Sequence, residues 1–439
     1  MYNGSGDKMV KIIGAGLAGV EAAYFLANHD IKVKLYEMRP KKMTPAHQTG
    51  DFAELVCSNS LRSNDLHVAV GLLKEEMRML GSIVMDAAAY AQVPAGSSLA
   101  VDRALFSSYI EDKIKHHPNI EVIYEEVNDI DTDTYTIVCA GPLASETLAD
   151  HLSKLFHQEH LHFFDAVAPI IEKNSIDMNI AYLKSRYDKG EAAYINCPMN
   201  RAQYDKFYDA LTNSEKVIPK NFENNVFEGC MPVEVMASRG KETLLFGPLK
   251  PVGLELDGQQ RPYAVVQLRQ DDAKQTMYNI VGFQTHMTWP EQKRVIQMIP
   301  GLEKANILRY GVMHRNTYIE SPQVLNSSYQ VKAYPKLFIA GQISGVEGYV
   351  ESAASGLNAA IQLTSLLKNE KLIPFFEESM IGAMAHYIST PNRSFVPMNA
   401  NFGILPELKE KHAKKMRKIL YANRALEKIS LFKEMNVWI

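Results

Sequence analysis

Hydrophobic and polar residues follow each other along the first forty positions in a pattern that predicts a strand, a helix and a second strand. Residues 9–13 form an apolar run, typical of a short buried strand, which leads into the glycine-rich segment 14–19. We expect an alanine-rich helix from there through about residue 28, and a strand over 31–36 that ends at Glu37. Strands and helices that alternate in this way favour a parallel sheet covered by helices on both faces.

Further along the chain the pattern changes twice. Residues 40–66 are irregular. The segments that follow predict two helices, at 67–81 and 101–115, and two strands, at 120–124 and 135–139. From about 163 to 320, apolar and polar residues alternate between turn signals, which indicates mostly antiparallel strands. The parallel pattern returns at 336–341 and is followed by a helix of small residues to about 367.

The glycine-rich segment has the spacing and the surroundings of a dinucleotide site, with a strand before it and a helix after it: Gly14-Ala15-Gly16-Leu17-Ala18-Gly19. In such a motif the first glycine permits the tight turn, the second lets the backbone approach a pyrophosphate, and the third allows close helix–strand packing. The free N–H groups of the helix N-terminus attract the phosphates. Glu37 ends the next strand, where an acid binds ribose hydroxyls, and Met38 and Arg39 complete this part of the predicted site. The alternative is a glycine turn in an α/β core without a ligand.

The second half of the chain favours FAD over NAD as the dinucleotide. Flavoproteins of the glutathione-reductase type resemble this chain in having a late strand that ends in Ala-Gly and a small-residue helix directed at the flavin. Gly341, Gln342 and Gly356 fit that pattern, although Gln342 stands where that type usually has Asp. Since one GxGxxG motif is present, we expect NADH or NADPH to bind only transiently. The predicted fold class is therefore α/β, with an FAD-binding Rossmann-like domain that is split by an inserted α+β domain.

We predict four segments in that arrangement. They are the first part of the FAD-binding domain (1–162), the inserted mostly antiparallel α+β domain (163–325), the second part of the FAD-binding domain (326–405) and a basic helical tail (406–439). From Glu407 to Glu434 the tail carries nine Lys or Arg against four Glu. A solvated terminal helix is the simpler interpretation, and a helix that contacts RNA phosphate is the alternative.

Composition and charge narrow the function classes. The formal net charge of −3 excludes the overall basic character of a general nucleic-acid binder, so an RNA contact requires a local patch. An apolar run long enough to span a membrane and a signal-peptide profile are both missing from the sequence, and we expect a cytoplasmic protein without membrane contact. Cys57, Cys139, Cys197 and Cys230 form no CxxC pair, which argues against zinc or another metal and leaves each as a core residue or a reactive thiol.

Several long blocks resemble one family, the folate- and FAD-dependent uracil-5-methyltransferases of bacterial RNA. These blocks extend to about residue 403 and leave the basic tail outside: Gly14-Ala15-Gly16-Leu17-Ala18-Gly19, Leu35-Tyr36-Glu37-Met38-Arg39-Pro40, Glu54-Leu55-Val56-Cys57-Ser58-Asn59-Ser60-Leu61-Arg62, Lys184-Ser185-Arg186-Tyr187-Asp188-Lys189-Gly190, Glu228-Gly229-Cys230-Met231-Pro232-Val233-Glu234, Met313-His314-Arg315-Asn316-Thr317 and Gly345-Val346-Glu347-Gly348-Tyr349-Val350-Glu351-Ser352-Ala353. The resemblance implies that methylenetetrahydrofolate donates the carbon, FAD carries the methylene group and supplies hydride, and NAD(P)H restores the reduced flavin.

The implied chemistry needs two thiols. Addition of a thiolate to uracil carbon 6 activates carbon 5, and a general base must then remove the carbon 5 proton. With the resemblance in hand we assign Cys230 as the nucleophile and Cys57 as the proton acceptor, although the two roles can be exchanged. Arg62 is the cation expected to favour the Cys57 thiolate.

The remaining candidates each have two interpretations. His314 stacks on a pterin or is a solvated loop histidine, and Glu347 binds the pterin amino group or serves as a carboxylate at a helix N-terminus. Lys184, Arg186 and Lys189 contact RNA phosphate or form a solvated face.

The resemblance implies the T-loop uridine of tRNA as target, and a uridine of 23S ribosomal RNA is the first alternative. A flavin oxidoreductase of a small substrate is the second alternative, and a non-catalytic, FAD-stabilised RNA-binding protein is the third. The longer relatives that modify the tRNA wobble uridine fit less well, because they carry an additional helical domain. The target base has to leave its stack to enter a deep pocket.

Overall fold

The computed structural model describes residues 9–158, 161–188, 191–217, 231–256, 258–369, 371–392, 395–410 and 412–439. Within these ranges the side chains at 161–166, 313–315, 369 and 414 lie outside the description. Cys230 and Lys189, which were singled out in the sequence, also lie outside the described residues.

The strands of the described residues are distributed over the whole length of the chain. Their bounds are β1 Met9–Ile13, β2 Lys32–Tyr36, β3 Ser60–Ser63, β4 Gln92–Val93, β5 Ser98–Val101, β6 Ile120–Ile123, β7 Thr136–Val138, β8 Leu161–Ala166, β9 Ile170–Glu172, β10 Tyr182–Leu183, β11 Tyr194–Met199, β12 Ala264–Gln270, β13 Met277–Ile280, β14 Ile307–Arg309, β15 Met313–Tyr318, β16 Gln330–Val331 and β17 Tyr334–Ile339.

The helices alternate with the strands in the outer parts of the chain. Their bounds are α1 Leu17–Asn28, α2 Ala69–Met79, α3 Ile83–Tyr90, α4 Arg103–Lys115, α5 Glu146–Phe156, α6 Arg201–Thr212, α7 Val233–Ser238, α8 Thr243–Phe246, α9 Trp289–Ile296, α10 Ser321–Val324, α11 Tyr349–Asn369, α12 Met380–Ser389 and α13 Lys414–Met435. In the described residues, no helix is both long enough and apolar enough to cross a bilayer.

The first sheet brings the two ends of the sequence pattern together. Its strand order is β16-β17-β7-β1-β2-β6, and all of its neighbouring pairs are parallel except β16 with β17. The late strand β17 pairs with β7, beside the opening strand β1, so the parallel sheet is completed by a strand that lies about two hundred positions after its partner in the chain. Since the chain passes from β1 to β2 and β6 and then returns to β7, the carboxyl ends of β1 and β7 form a switch point, where open α/β sheets bind ligands.

The second sheet is built from residues 170–309 and is antiparallel throughout, with the order β10-β11-β12-β13-β9-β14. Two smaller assemblies accompany it, the antiparallel pair β15-β8 and the sheet β3-β5-β4. The segment 40–66, expected to be irregular, contributes β3 to this last sheet. The second sheet has a hydrophobic core of its own, separate from the core under the first sheet. The boundaries 163 and 325 stay predictions.

Helices α1 and α11 pack against each other so closely that a side chain at the crossing is excluded. A Cβ atom built on Gly356 of α11 lies 2.1 Å from the carbonyl oxygen of Ala18 in α1. The two halves of the nucleotide-binding part are therefore in direct backbone contact at this point.

The terminal helix α13 is packed onto the first core, so it is not merely a solvated helix. Tyr421, Ala422, Ala425, Ile429 and Phe432 are buried, and they recur at the spacing of one helix face.

Met416 and Leu431 are exposed, because alanine and tyrosine fill most of the positions that contact the core. Phe432 stacks on Phe375 with ring centroids 4.0 Å apart, and Lys433 Nζ donates to the Met79 carbonyl oxygen.

Glu21 of α1 is a buried carboxyl group that gives the fold a pH dependence. It accepts hydrogen bonds from the Ser82 hydroxyl and from the backbone N–H of Val84, and burial, which outweighs them, raises its pKa from 4.5 to about 8. Its contribution to stability is therefore fully present below pH 4.5 and is lost as the pH rises through about 8.

We expect Glu21→Gln to be more stable than the parent protein above about pH 8, by on the order of a few kcal/mol, and to show little difference near pH 5. Thermal melting from pH 5 to 9 measures this difference, with the exposed Glu121→Gln as the matched control. A constant difference at all pH values would contradict the assignment.

Candidate active site

A cleft of about 530 Å³ opens at the carboxyl ends of β1, β2, β7 and β17. Its volume lies within the usual range of sites for small molecules and cofactors, roughly 300–1,000 Å³. Its walls come from both sheets and from the loop that carries Cys57, so predicted site residues from five separate segments of the sequence meet in one cavity.

The glycine-rich turn after β1 forms one end of the cleft. Gly14 has φ +101°, and a Cβ atom there would lie 2.5 Å from the Cys139 carbonyl oxygen, so this tight turn requires glycine. A Cβ atom on Gly16 would meet no protein atom within 4 Å, because it would point into the cleft. A Cβ atom on Gly19 would lie 1.8 Å from the Gly14 carbonyl oxygen, as expected for a packing glycine. Leu17 and Ala18, which begin α1, also line the cleft.

Glu37, at the end of β2, lies in a network of hydrogen bonds beside this turn. Its carboxylate accepts from the backbone N–H of Ala15 at 2.9 Å, from the backbone N–H of Arg39 at 3.0 Å and from the Arg39 guanidinium at 3.0 and 3.2 Å. Arg39 also pairs with Glu54 at 3.3 Å. Burial opposes ionisation of Glu37, but the hydrogen bonds and the charge of Arg39 outweigh it, and the pKa of Glu37 is lowered.

The N–H groups of this network occupy the carboxylate of Glu37 that is predicted to bind ribose. Four N–H groups occupy a carboxylate that has about four acceptor positions. A ribose hydroxyl therefore has to replace one of the Arg39 bonds. Met38 lies beside the pair and lines the cleft as well.

The second half of the site lies at the end of β17. Gly341 has φ +81°, and its N–H donates to the Ser355 hydroxyl at 2.7 Å. The Gln342 amide Nε2 donates to Glu347 Oε2 at 2.5 Å, so the residue in the usual Asp position is held by a carboxylate. Gly341, Gln342 and Glu347 line the cleft. Gly356 does not belong to its lining, because it lies at the contact of α11 with Ala18.

Helix α11 begins at the cleft. Gly348, Tyr349, Val350 and Ser352 belong to its wall, so the first turn of a 21-residue helix is directed at the cavity. The partial positive charge of a helix N-terminus favours a negatively charged or electron-rich group at that place.

The loop that carries Cys57 is clamped from three sides. The Tyr349 hydroxyl accepts from the backbone N–H of Cys57 at 2.6 Å and from that of Ser58 at 3.2 Å. Arg103 donates to the Leu55 carbonyl oxygen at 2.8 Å. The bond to Cys57 in this clamp uses its backbone N–H, which any residue at this position retains.

Arg269, from β12 in the second sheet, supplies the third side of this clamp. It is buried, lines the cleft and donates to the Ser58 hydroxyl at 2.6 Å and to Asn59 Oδ1 at 3.0 Å. Arg62, which the sequence analysis had placed beside Cys57 as its cation, is ion-paired with Glu351 instead. Arg269 is thus the cation whose contacts lie next to Cys57.

The other described cysteines differ from Cys57. Cys139 and Cys197 are buried, and burial raises the pKa of both thiols far above the ordinary value. Cys57 is partly exposed and lines the cleft. Cys139 also touches the cleft, beneath the glycine turn, but its thiol is held in the uncharged form.

Cys230 lies outside the described residues, and the segment that follows it is anchored at the cleft. The backbone N–H of Val233 donates to the carbonyl oxygen of Gln284, a residue of the cleft wall, at 2.8 Å. Glu234 accepts from the His286 N–H at 2.7 Å and from the Thr285 hydroxyl at 3.0 Å. In the described residues no cluster of three His, Cys, Asp or Glu is arranged to hold a metal ion.

The remaining candidates divide between the cleft and the surface. His314 lies in β15, which pairs with β8, and its side chain is outside the description. Its neighbour Asn316 lines the cleft. Arg186, a candidate for phosphate binding, donates to the carbonyl oxygens of Val252 and Lys250 and fixes a turn instead.

Three functional candidates were not selected from the sequence: Arg269, Tyr349 and Asn316. Tyr349 and Asn316 lie within blocks that were quoted for the resemblance. The sequence shows that both side chains are polar, but it does not show that they line the cleft. Arg269 lies in a run of alternating residues whose sequence predicts only a strand.

Comparisons with known proteins agree on one family. The model of the family described as glucose inhibited division protein A matches residues 9–371. A protein named methylenetetrahydrofolate–tRNA-(uracil-5-)-methyltransferase TrmFO from Acholeplasma laidlawii is 64% identical over 426 residues, which is 97% of this chain and 99% of that protein. The protein of the same name from Bacillus subtilis is 60% identical over 428 residues, 96% of this chain and 98% of that protein.

Among solved structures, GidA from Aquifex aeolicus is similar with a TM-score of 0.69 and 16% identity, covering 97% of this chain and 74% of that one. At this identity the likeness shows the fold alone. It confirms the predicted α/β class with a Rossmann-like nucleotide-binding part.

Proposed function

This chain belongs to the family of the methylenetetrahydrofolate–tRNA-(uracil-5-)-methyltransferases, and we propose that it transfers a carbon unit from methylenetetrahydrofolate to carbon 5 of a uridine in tRNA. The resemblance implies the T-loop uridine as the target. We propose FAD as the resident cofactor, NADH or NADPH as the source of electrons, and the cytoplasm, where tRNA is found, as the place of reaction.

One observation carries the proposal. The glycine turn of a dinucleotide site and the partly exposed thiol of Cys57 line the same cleft, and a clamp on the backbone fixes the loop of that thiol. A flavin oxidoreductase of a small substrate accounts for the turn alone. It gives no reason for a cysteine in a loop held by Arg103, Arg269 and Tyr349.

The residues of the cleft fit FAD. The space at Gly16 gives a pyrophosphate access to the backbone at the N-terminus of α1, and the beginning of α11 offers a second helix N-terminus to the ring system. When bound, FAD supplies the hydride that converts the transferred carbon into a methyl group. Its binding there is tested most directly by flavin absorbance of the purified protein.

The chain's own thiols supply the activation of the uracil ring in this proposal. A thiolate adds to carbon 6, which places negative charge on the ring and makes carbon 5 nucleophilic, and a second group accepts the carbon 5 proton. We assign addition to Cys230 and proton acceptance to Cys57. Val233, three residues after Cys230, is anchored at Gln284 of the cleft wall, and the partial exposure of Cys57 supports access to the base.

The folate is proposed to bind at the flavin with His314 stacking on the pterin and Glu347 accepting from its amino group. The position of Glu347 in the cleft wall supports the second contact, although Gln342 already donates to its carboxylate. A folate amino group would then share this carboxylate with the amide.

Transfer of labelled carbon tests the function. Protein, NADPH and methylenetetrahydrofolate labelled in its methylene group are incubated with RNA from cells that lack the gene. We expect label in 5-methyluridine of the tRNA fraction, and mass mapping of that fraction identifies the position. Label in 23S ribosomal RNA alone would replace the proposed target, and label in neither RNA, from a protein that retains FAD, would contradict the function.

The exposed cations at the start of α13 are expected to contribute to RNA binding. Lys415 and Arg417 are exposed, whereas Arg424, Lys428 and Lys433 are engaged within the chain. We expect Arg417→Glu to weaken tRNA binding several-fold at low salt and to reduce the slope of affinity against salt concentration by ~1.

Lys32→Glu is the matched control for that experiment. It makes the same change of charge at an exposed residue that begins β2, at the edge of the sheet opposite the cleft. Equal weakening by both variants in a filter-binding titration would assign the effect to net charge and would refute a specific contact of the tail.

A further inference from the structure

Asn316 is a buried amide whose side chain has no hydrogen-bond partner among the described residues. The residue belongs to the cleft wall and is 1% exposed, and neither its Nδ2 nor its Oδ1 is hydrogen-bonded to another described group. Most buried polar groups in proteins are paired, and an unpaired one destabilises the fold. A ligand that fills the cleft is the natural source of the missing partners.

The backbone on the C-terminal side of Asn316 is fixed to both halves of the nucleotide-binding part. The N–H of Thr317 donates to the carbonyl oxygen of Pro142, in the segment that follows β7, at 2.9 Å. The N–H of Ile319 donates to the carbonyl oxygen of Ile343, in the segment that follows β17, at 3.0 Å. The amide is thus held beside the carboxyl ends of the two strands, where the parallel sheet meets the cleft, and its place is set before a ligand binds.

The chemistry of the side chain restricts the ligand. A carboxamide presents an N–H donor and a carbonyl acceptor side by side, and both are unused here. Its complement is a ring edge on which an N–H stands next to a carbonyl oxygen. The isoalloxazine of FAD, the pterin of a folate and the uracil base all have such an edge.

We infer that Asn316 binds the amide edge of a heterocycle in the cleft through paired hydrogen bonds and thereby fixes its orientation. The inference rests on the proposed function only for the choice among the three rings. The unpaired amide itself indicates a cyclic amide or imide as the ligand. Experiment distinguishes whether that ring belongs to the flavin, the pterin or the uracil.

Asn316→Leu removes both polar atoms at similar volume. Without its ligand the variant is expected to melt no lower than the parent protein, because an unpaired buried amide has been replaced by an apolar group. With its ligand it is expected to bind at least about tenfold more weakly, the loss of two hydrogen bonds.

Three measurements identify the ring. They are the ratio of flavin to protein after extensive ultrafiltration of the holoenzyme, the dissociation constant of tetrahydrofolate on the holoenzyme by calorimetry, and that of a tRNA transcript by filter binding. A loss in the first alone assigns the flavin, a loss in the second alone assigns the pterin, and a loss in the third alone assigns the uracil. A loss of flavin followed by losses in the other two also assigns the flavin.

Asn358→Leu is the matched control. Asn358 is also 1% exposed with both amide atoms unpaired, but it lies in α11 and is not part of the cleft wall. If Asn316→Leu changes none of the three measurements, or if Asn358→Leu changes them equally, the inference is overturned.

Asn316→Asp keeps the inference testable should the leucine variant fail to fold. It preserves the shape and the acceptor oxygens but lacks the N–H donor, and a similar loss of ligand is expected. Failure of the proposed function remains distinguishable: a parent protein that binds FAD but transfers no labelled carbon refutes the function, while a loss of FAD in the variant still supports the role of Asn316.

Discussion

Replacement of Cys57 by alanine is expected to reduce the transfer of labelled carbon to tRNA by about 10²–10⁴-fold, the usual contribution of a positioned general base. The Tyr349 hydroxyl accepts from the backbone N–H groups of residues 57 and 58, and an alanine at position 57 retains both bonds. The variant should therefore retain FAD and bind tRNA like the parent protein. Turnover with labelled methylenetetrahydrofolate measures the effect.

The four cysteines form their own control series. Cys139→Ala and Cys197→Ala remove buried thiols that burial keeps uncharged, and we expect both variants to retain turnover, with some loss of thermal stability. Cys230→Ala is expected to reduce transfer at least as strongly as Cys57→Ala. Full activity of Cys57→Ala would refute its role in the reaction, and full activity of Cys230→Ala would refute its assignment as nucleophile.

The parts of the fold that depend on local sequence were predictable. The run from β1 through the glycine turn to α1 and β2 is specified by short-range periodicity and by glycines whose conformation is required locally, such as Gly14 with φ +101°. The late strand was recognisable for the same reason, because β17 is an apolar run that ends in a glycine turn. Bounds shifted by only a few residues, as for the predicted helix over 101–115, which begins at Arg103 after β5.

The contacts that build the candidate site depend on long-range pairing, which periodicity does not report. Arg269 and Asn59 are bonded across 210 positions, and Tyr349 and Cys57 across 292. The sequence indicates that each residue is polar and lies in a strand, loop or helix. Its hydrogen-bond partner depends on how the two sheets pack against each other.

The terminal helix illustrates the same limit. Its buried face includes Tyr421, which stacks on Phe402, and Phe432, which stacks on Phe375, and the helix also packs against α2, so burial here is decided by distant parts of the chain. The excess of basic residues drew attention to the opposite, exposed side.

Gly16→Ala is expected to lower the affinity for FAD about 10–100-fold, because a methyl group forced into a filled contact costs ~1–3 kcal/mol. The backbone at Gly16 has φ −75°, which alanine adopts without strain, and a Cβ atom there meets no protein atom within 4 Å. The fold of the cofactor-free protein is therefore expected to be unchanged. The flavin absorbance of the purified variant and its thermal melting separate these two effects.

Gly356→Ala is expected to have the opposite effects, a loss of stability rather than a direct loss of FAD affinity. Its Cβ atom would lie 2.1 Å from the Ala18 carbonyl oxygen, so α1 and α11 would have to move apart, and we expect a stability loss of at least ~1–3 kcal/mol with or without FAD. The two alanine variants thus distinguish a glycine that faces the cofactor from one that faces the protein. Equal melting temperatures for the parent and Gly356→Ala, or full flavin content in Gly16→Ala, would refute the corresponding half of this assignment. A flavin loss confined to Gly16→Ala would identify the turn after β1 as the place where the dinucleotide meets the backbone, on which the proposed carbon transfer depends.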